Sequence, residues 1–235
     1  MSAAEPITFL TWNLCMMVAS QEAPAGWSQE HTEAKVRELV LQLDPDFVCF
    51  QELPGLVPYV ETHDLLPANT ESHSGNIATL VRNEMKEEVQ ATAIGRFAVV
   101  AKIESRNITM ANVHLAPSQE GVDKRIRMLQ TLIQRCETPG LVVVGDTNTR
   151  TAEEGKIAKV GLIGERPPRA TWDTKTNSFR EGGGKFTAYF TRYFHNREVV
   201  VDEVEVWDDK VEHNETQFHL SDHFPLSGSA RLVEA

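Results

Sequence analysis

The chain predicts a layered α/β sandwich built as one domain. Short apolar runs rich in β-branched and aromatic residues recur along it, and each ends in polar residues. Two segments between these runs carry helical periodicity, and no repeat, low-complexity tract or linker divides the 235 residues. Strands that outnumber helices, with helices inserted early and in mid-chain, bury their apolar faces most simply as stacked layers. A chain of this length buries one substantial core, or at most two small ones.

The elements follow in order. Ile7-Thr8-Phe9-Leu10 runs into Thr11-Trp12-Asn13, and Phe47-Val48-Cys49-Phe50 runs into Gln51-Glu52. Ile108-Thr109-Met110-Ala111 leads to Asn112-Val113-His114, and Leu141-Val142-Val143-Val144 to Gly145-Asp146-Thr147-Asn148. Runs of this length and composition read as buried strands. Between the first two, Val36, Leu39, Val40 and Leu43 form an apolar stripe with Ser28 as the N-cap upstream. Between the second two, Val122, Ile126, Leu129 and Ile133 form another, beginning after Pro117-Ser118. Further strands are predicted at Asn76–Val81 and Phe97–Ile103, the latter turned back by Glu104-Ser105-Arg106-Asn107. Glu203-Val204-Glu205-Val206 alternates as a half-exposed strand does. The stretch from Arg150 to Lys185, with Pro167-Pro168 and Gly182-Gly183-Gly184, reads as a long irregular loop of functional or mobile character, its glycines a flexible turn.

Composition narrows the class. Apolar residues make up 41% and charged residues 24%, an ordinary globular balance that excludes collagen, coiled coil, disulfide scaffold and disordered tail. No apolar run approaches the ~20 residues of a membrane-spanning helix. Met1 to Pro6 carries no signal-peptide pattern, so the expectation is an intracellular protein, cytoplasmic or nuclear and not secreted. Three scattered cysteines, Cys15, Cys49 and Cys136, make no zinc spacing and read as reduced thiols. With 23 basic against 34 acidic residues the formal charge is −11, and no basic stripe for nonspecific nucleic-acid binding is visible. A phosphate-ester substrate would therefore meet positive charge that is local or supplied by a metal.

Packed sheets would gather the polar strand ends along one rim: Asn13, Glu52, Asn112, His114, Asp146 and Asn148, joined by Ser221-Asp222-His223-Phe224. Carboxylates and carboxamides are hard oxygen donors suited to Mg²⁺ or Mn²⁺. Histidines beside them contact a phosphoryl oxygen or move a proton. The set reads as metal-assisted phosphoester chemistry. Each residue alone has a plainer reading. Asn13 and the Gly145–Asn148 stretch are ordinary turn chemistry, His114 a satisfied core histidine, Trp172 core and Arg150 a solvated charge. Their coincidence in order tells against all of these holding together.

Thr11-Trp12-Asn13, Gln51-Glu52, Asn112-Val113-His114-Leu115, Gly145-Asp146-Thr147-Asn148 and Ser221-Asp222-His223 resemble the five signatures of the endonuclease/exonuclease/phosphatase superfamily, in its order and over nearly the whole chain. The stretches Gly145–Arg150 and Thr171-Trp172-Asp173-Thr174-Lys175-Thr176-Asn177-Ser178 are similar to its 5′-tyrosyl-DNA phosphodiesterase branch, DNA-repair enzymes that release tyrosine from DNA 5′-ends. The resemblance implies a four-layer sandwich, two mostly antiparallel sheets flanked by helices. It also implies a Mg²⁺- or Mn²⁺-dependent phosphodiesterase acting on a single-stranded nucleic-acid end, as a monomer without a membrane partner.

The resemblance further implies roles. Glu52 would be the main metal ligand, with Asn13 and Asp222 helping to hold the ion or its water. Asp146 would orient or deprotonate the attacking water, and Asn148 would fix its position. His223 would donate to a non-bridging oxygen, while His114 and Asn112 line the phosphate pocket. Arg150 would add a positive charge and Trp172 a flat face for a base. One position departs from the pattern. Thr191 stands in Phe190-Thr191-Arg192 where the superfamily has the aspartate that orients the final histidine, and Asp202 is the nearest acid that could substitute. Besides a catalytic core working with partner proteins, which nothing in the sequence supports, two other readings stay open. One is a phosphoesterase of the same chemistry acting on RNA, a nucleotide, a sugar phosphate or a phospholipid. The other is a non-catalytic binding module, favoured by Thr191 but opposed by the retention of Glu52, Asp146 and Asp222.

Overall fold

The computed structural model describes residues 5–17, 19–53, 57–66, 76–180 and 184–233, so the predicted turn at Gly182-Gly183 lies outside the described residues. In chain order the strands are β1 (Ile7–Asn13), β2 (Phe47–Gln51), β3 (His63–Leu65), β4 (Ile77–Arg82), β5 (Val89–Ile94), β6 (Ala98–Ile103), β7 (Ile108–His114) and β8 (Gly140–Asp146). They continue as β9 (Ile163–Glu165), β10 (Trp172–Asp173), β11 (Thr187–Ala188), β12 (Thr191–His195), β13 (Val199–Val206), β14 (Val211–His213), β15 (Thr216–Phe218) and β16 (Leu226–Leu232).

Two six-stranded sheets result, ordered β13-β16-β1-β2-β4-β3 and β5-β6-β7-β8-β12-β9, with small β10-β11 and β14-β15 ribbons beside them. Each large sheet contains one parallel pair. β1 runs parallel to β2 with Asn13 beside Gln51, and β7 parallel to β8 with His114 beside Asp146. Their other neighbours are antiparallel. A parallel pair needs a crossover. The Gln29–Leu43 helix supplies the first and the Val122–Arg135 helix the second. The Ser28 hydroxyl caps the first helix by accepting the His31 N–H at 3.2 Å, as its sequence predicts.

Side chains alternate across each strand, and that alternation builds the layers. Ile7, Phe9, Phe47, Cys49, Met110, Val142 and Val144 pack between the sheets. Leu10, Trp12, Val48 and Phe50 face outward onto Val36, Leu39 and Val40 of the first helix. Ala111, Val113, Leu141 and Val143 face Leu129 and Leu132 of the second. The order is helix, sheet, sheet, helix. At one end of the inter-sheet layer the inward positions turn polar: Thr11, Asn13, Gln51, Asn112, His114 and Asp146.

Two expectations are corrected. The second helix buries Arg125, Leu129 and Leu132, whereas Ile126 and Ile133 are only half-buried. The face is rotated because Arg125 has a partner. Its Nε donates to Glu153 Oε2 at 2.9 Å and its Nη2 to Oε1 at 2.5 Å, while Nη1 reaches the Ala116 and Ser118 carbonyls at 2.8 Å each. The stretch from Arg150 to Lys185 is also more regular than predicted. It forms a short Glu154–Lys159 helix behind a Thr151–Glu153 turn, β9 on the edge of β12, and the β10 arm of a ribbon.

Removing one partner of a fully buried, hydrogen-bonded pair strands the other charge, at a cost of about 3–5 kcal/mol. Arg125→Met should lower the urea midpoint by that equivalent. The double variant Arg125→Met/Glu153→Leu should recover a large share of the loss.

Candidate active site

Parallel strands bring their C-terminal ends to one edge. The residues just past β1, β2 and β8 all turn there in the left-handed region, Cys15 at φ 51°, Glu52 at φ 58° and Asn148 at φ 50°. Positive φ is uncommon for side chains with a Cβ and clusters at functional sites. Gly145, at φ +131°, has no such choice, since a Cβ there would meet the Val113 carbonyl oxygen at 2.2 Å. Only glycine lets β8 approach β7 closely enough to aim Asp146 inward.

Asn13 joins the two halves of the site. Its Nδ2 donates to Glu52 Oε1 and to Asp146 Oδ2, both at 3.0 Å. Its Oδ1 accepts the Cys15 N–H at 2.9 Å. Asn13 was expected among the metal donors, but its oxygen is turned to the backbone and its amide braces the two carboxylates. Asp146 is 2% exposed, and its other oxygen accepts the Asn148 N–H at 2.9 Å. His114 Nε2 lies 3.6 Å from Asp146 Oδ2 and 3.8 Å from Glu52 Oε1. One donor atom each from Glu52, His114 and Asp146 fall within 4.8 Å of one another. The Glu52 carboxylate with the His114 imidazole beside it, both half-buried, fits a hard divalent cation, and Asp146 lies within the same cluster.

His223 completes the floor. Its Nε2 lies 3.8 Å from Asp146 Oδ2, and its Nδ1 shares a 2.8 Å hydrogen bond with the Thr191 hydroxyl. Thr191 opens β12 directly opposite Asp146, so the departure from the family pattern sits against the histidine. Asp202 does not substitute. It is exposed on β13 and pairs with Arg231 at 3.3 Å. The Ser221 hydroxyl donates to the Asn13 carbonyl at 2.6 Å, and Trp12 Nε1 donates to the His223 carbonyl at 2.9 Å, tying this segment to β1. Asn177 Nδ2 donates to the Ser221 carbonyl at 2.8 Å, which gives the Thr171–Ser178 motif a buttressing role.

The remaining predicted residues separate into rim and support. Asn112 is fully buried. Its oxygen accepts from Gln51 Nε2 at 2.8 Å, and its nitrogen donates to the Phe50 and Ala78 carbonyls and the Thr79 hydroxyl. These partners saturate it, so it locks the sheets together behind the site instead of lining a phosphate pocket. Asn148 donates to the Leu115 carbonyl at 3.2 Å, and Arg150 reaches back to the Asn148 carbonyl at 2.5 Å while lying over Phe190. Trp172 meets His223 edge-on at 4.8 Å, with Phe190 at 5.6 Å and Phe186 stacked at 6.3 Å. Phe186 is exposed. Asp222 is buried and paired with Arg180 at 2.6 Å. Burial pushes its carboxyl above the ordinary range against the pull of His223 and Arg180.

Sequence reading missed Arg180, Phe186 and Asp209. No motif marks them, because they reach the site from the β10-β11 ribbon and from the segment before β14. Asp209 Oδ2 accepts the Leu220 and Ser221 N–H groups at 2.8 Å each, holding up the segment that carries His223. Asp208, Asp209 and His219 form a second close trio. There the Ser178 N–H donates to His219 Nδ1 at 3.0 Å, which leaves the proton on Nε2, facing Asp208. That nitrogen is a donor to carboxylate, not a metal ligand.

Asp209 is fully buried, and desolvation pushes its pKa up to about 8. The folded state then holds a proton that the unfolded state releases near pH 4, so stability falls as pH rises from about 4 to 8 and levels off above. Asp209→Asn removes this titration. The unfolding free energy of wild type minus that of Asp209→Asn, from urea melts at pH 5 and pH 8, should be smaller at pH 8.

Residues 10–223 match the model of the Endonuclease/Exonuclease/phosphatase family. No curated protein matches the sequence. Among solved structures, TDP2 of D. rerio complexed with single strand DNA product superposes at TM-score 0.72 and 18% identity, covering 97% of this chain and all of that one. TDP2 of C. elegans gives 0.67 and 16%, covering 98% and 77% of the two chains. A mannosyl-6-phosphatase of Bacteroides thetaiotaomicron gives 0.63 and 14%, covering 97% and 100%. What these structures share with the chain at such identities is the fold. By its fold and by the match over nearly its whole length, the chain belongs to the endonuclease/exonuclease/phosphatase family.

Proposed function

We propose that the chain is a Mg²⁺- or Mn²⁺-dependent phosphodiesterase acting on a nucleic-acid end, with a 5′-phosphotyrosyl bond as its best-matched substrate. The arrangement around Asp146 carries this reading. One oxygen of that carboxylate shares the Asn13 amide with Glu52 and faces both His114 and His223. Asp146 is thus placed to orient a water and take its proton as the water oxygen attacks phosphorus. The bond from phosphorus to the tyrosyl oxygen breaks, and the departing phenolate takes a proton from solvent. Asn148, held by its bond to Leu115, keeps that carboxylate aimed. His223 Nε2, steadied by Thr191, donates to a non-bridging oxygen as charge gathers there. Glu52, with His114 beside it, would hold the cation, which supplies Lewis-acid stabilisation of the phosphoryl charge when bound. Fixed donors of this kind supply much of the rate in such reactions.

The aromatic shelf supports the substrate class. Trp172 and Phe190 pack beside His223 and the exposed Phe186 stacks on Trp172, and stacking on aromatic rings is how single strands are held without sequence preference. The D. rerio TDP2 of like fold was solved with single-stranded DNA product. An overall charge of −11 suits a strand end better than a gripped duplex.

Tyrosine release from a 5′-phosphotyrosyl oligonucleotide, assayed with Mg²⁺, Mn²⁺ or EDTA, tests the reading. Wild type should release tyrosine only with metal, and Glu52→Ala should lose about 10²-fold or more. Cleavage of a generic aryl phosphodiester alone would keep the chemistry and remove the substrate. Turnover of neither would leave a binding module. Thr191→Val deletes one hydrogen bond to the imidazole, and kcat should fall about tenfold with KM unchanged.

A further inference from the structure

Positive charge is unevenly spread along the chain. Residues 121–170 hold nine Lys and Arg against six Asp and Glu, although the whole chain stands at −11. Two of those six acids are already committed, Asp146 to the active site and Glu153 to the buried Arg125. The surplus gathers where the Val122–Arg135 and Glu154–Lys159 helices lie side by side. Between them runs an open groove of about 380 Å³ lined by Ile126, Arg127, Gln130, Lys156, Lys159 and Val160. Its one acid, Asp123, pairs with Lys156 at 3.1 Å, with both side chains more than half exposed, a loose contact worth little in water. Arg127 and Lys159 are exposed and have no carboxylate partner among the described residues. The burial of Arg125 rolls the helix so that Ile126 is only half covered, and with Val160 it forms an apolar floor. The groove also continues from the rim of the active site. The Arg150 N–H donates to Glu153 Oε1 at 3.3 Å, and the Arg125–Glu153 pair clamps that turn onto the helix.

We infer that this groove carries the sugar-phosphate backbone of the strand whose 5′-end is held in the active site. The inference rests on the nucleic-acid reading above and names the surface that holds the strand beyond its end. A chain of net negative charge repels a polyanion everywhere except along a local cationic track. Phosphates would take over Lys156 from Asp123 and pair with Arg127 and Lys159, while the apolar floor receives the sugars. Point charges on phosphates position a strand without reading its bases.

Binding of 5′-phosphorylated phosphorothioate oligothymidylates in Mg²⁺, followed by fluorescence anisotropy, tests it. Wild type should bind a strand of about fifteen nucleotides at least about tenfold more tightly than a trinucleotide, with a salt slope steeper by about 2, from ~0.7 for each of three phosphate contacts. Arg127→Gln/Lys156→Gln/Lys159→Gln, all at exposed positions, should lose that gain and that slope. It should keep its trinucleotide Kd and its turnover of a 5′-phosphotyrosyl trinucleotide within about twofold. Arg37→Gln/Lys86→Gln/Arg197→Gln removes the same charge from other exposed faces and should behave as wild type. An undiminished length gain in the first triple variant would overturn the inference, as would an equal loss in the second. Displacement of the long strand by polyglutamate as readily as by unlabelled strand would assign the groove to an acidic peptide instead. Wild type that binds the trinucleotide but gains nothing from length overturns only this inference. Binding of neither strand, with turnover of a small aryl phosphodiester intact, overturns the nucleic-acid reading itself.

Discussion

One carboxamide holds the site together. Asn13 gives both of its amide hydrogens to carboxylates that come from different sheets, Glu52 after β2 and Asp146 at the end of β8. Two buried or half-buried acids so close repel, and a shared donor with its oxygen anchored on Cys15 holds them without adding charge. Everything around Asn13 keeps that geometry. Ser221 binds its carbonyl, the left-handed turn at Cys15 presents the N–H that orients its side chain, and Glu52 takes an unfavourable backbone conformation to reach it. Such strain persists only where neighbours over-determine it.

The two-sheet stack supplies that over-determination. Behind the catalytic edge, the Gln51 amide bonds the Asn112 oxygen and the Asn112 amide returns to the opposite sheet at Phe50, Ala78 and Thr79. A polar group in an apolar layer is costly unless every donor and acceptor is met. Asn112 meets that demand through partners on the other sheet, so it specifies how the sheets align, whereas the Gln51 Oε1 is buried with no partner among the described residues. The Arg125–Glu153 pair plays a similar part on the outer side. It anchors the turn after Asn148 and Arg150 to the second helix and to the Ala116 and Ser118 carbonyls.

Positive charge is used sparingly in a chain with a formal −11. At the site it comes from Arg150 over Phe190 and Arg180 over Trp172, each laid on an aromatic face. Stacking leaves a guanidinium its edge for hydrogen bonds while its position is held. Trp172 meets Arg180, His223, Phe186 and Phe190 together, so the apolar shelf and the charged groups form one continuous wall. Shape and charge at the mouth of the site are therefore coupled through a single indole.

The sequence alone determined β1, β2, β4, β6, β7, β8 and the end of β13, the two crossover helices, the Ser28 cap and the polar residues ending each inward column, because these are local and periodic. By contrast, β5, β12 and β16 were not legible and took their places only by pairing in the sheets. Period two along β1, β2, β7 and β8 dictates that Asn13, Gln51, Asn112, His114 and Asp146 share the inter-sheet side. Their order also carried the family resemblance. Thr191 against His223 was readable too, since it rests on alignment within one motif. The tertiary structure decided what depends on partners distant in sequence. It turned the Asn13 oxygen away from the site, committed Asn112 to the sheet lock, buried Arg125 on Glu153, set Asp202 on an exposed edge, and brought Arg180 to Asp222 across 42 residues. A periodic pattern says which face a side chain takes. Which of its hydrogen bonds and charges are already spent is decided only when the other sheet and the late loops arrive.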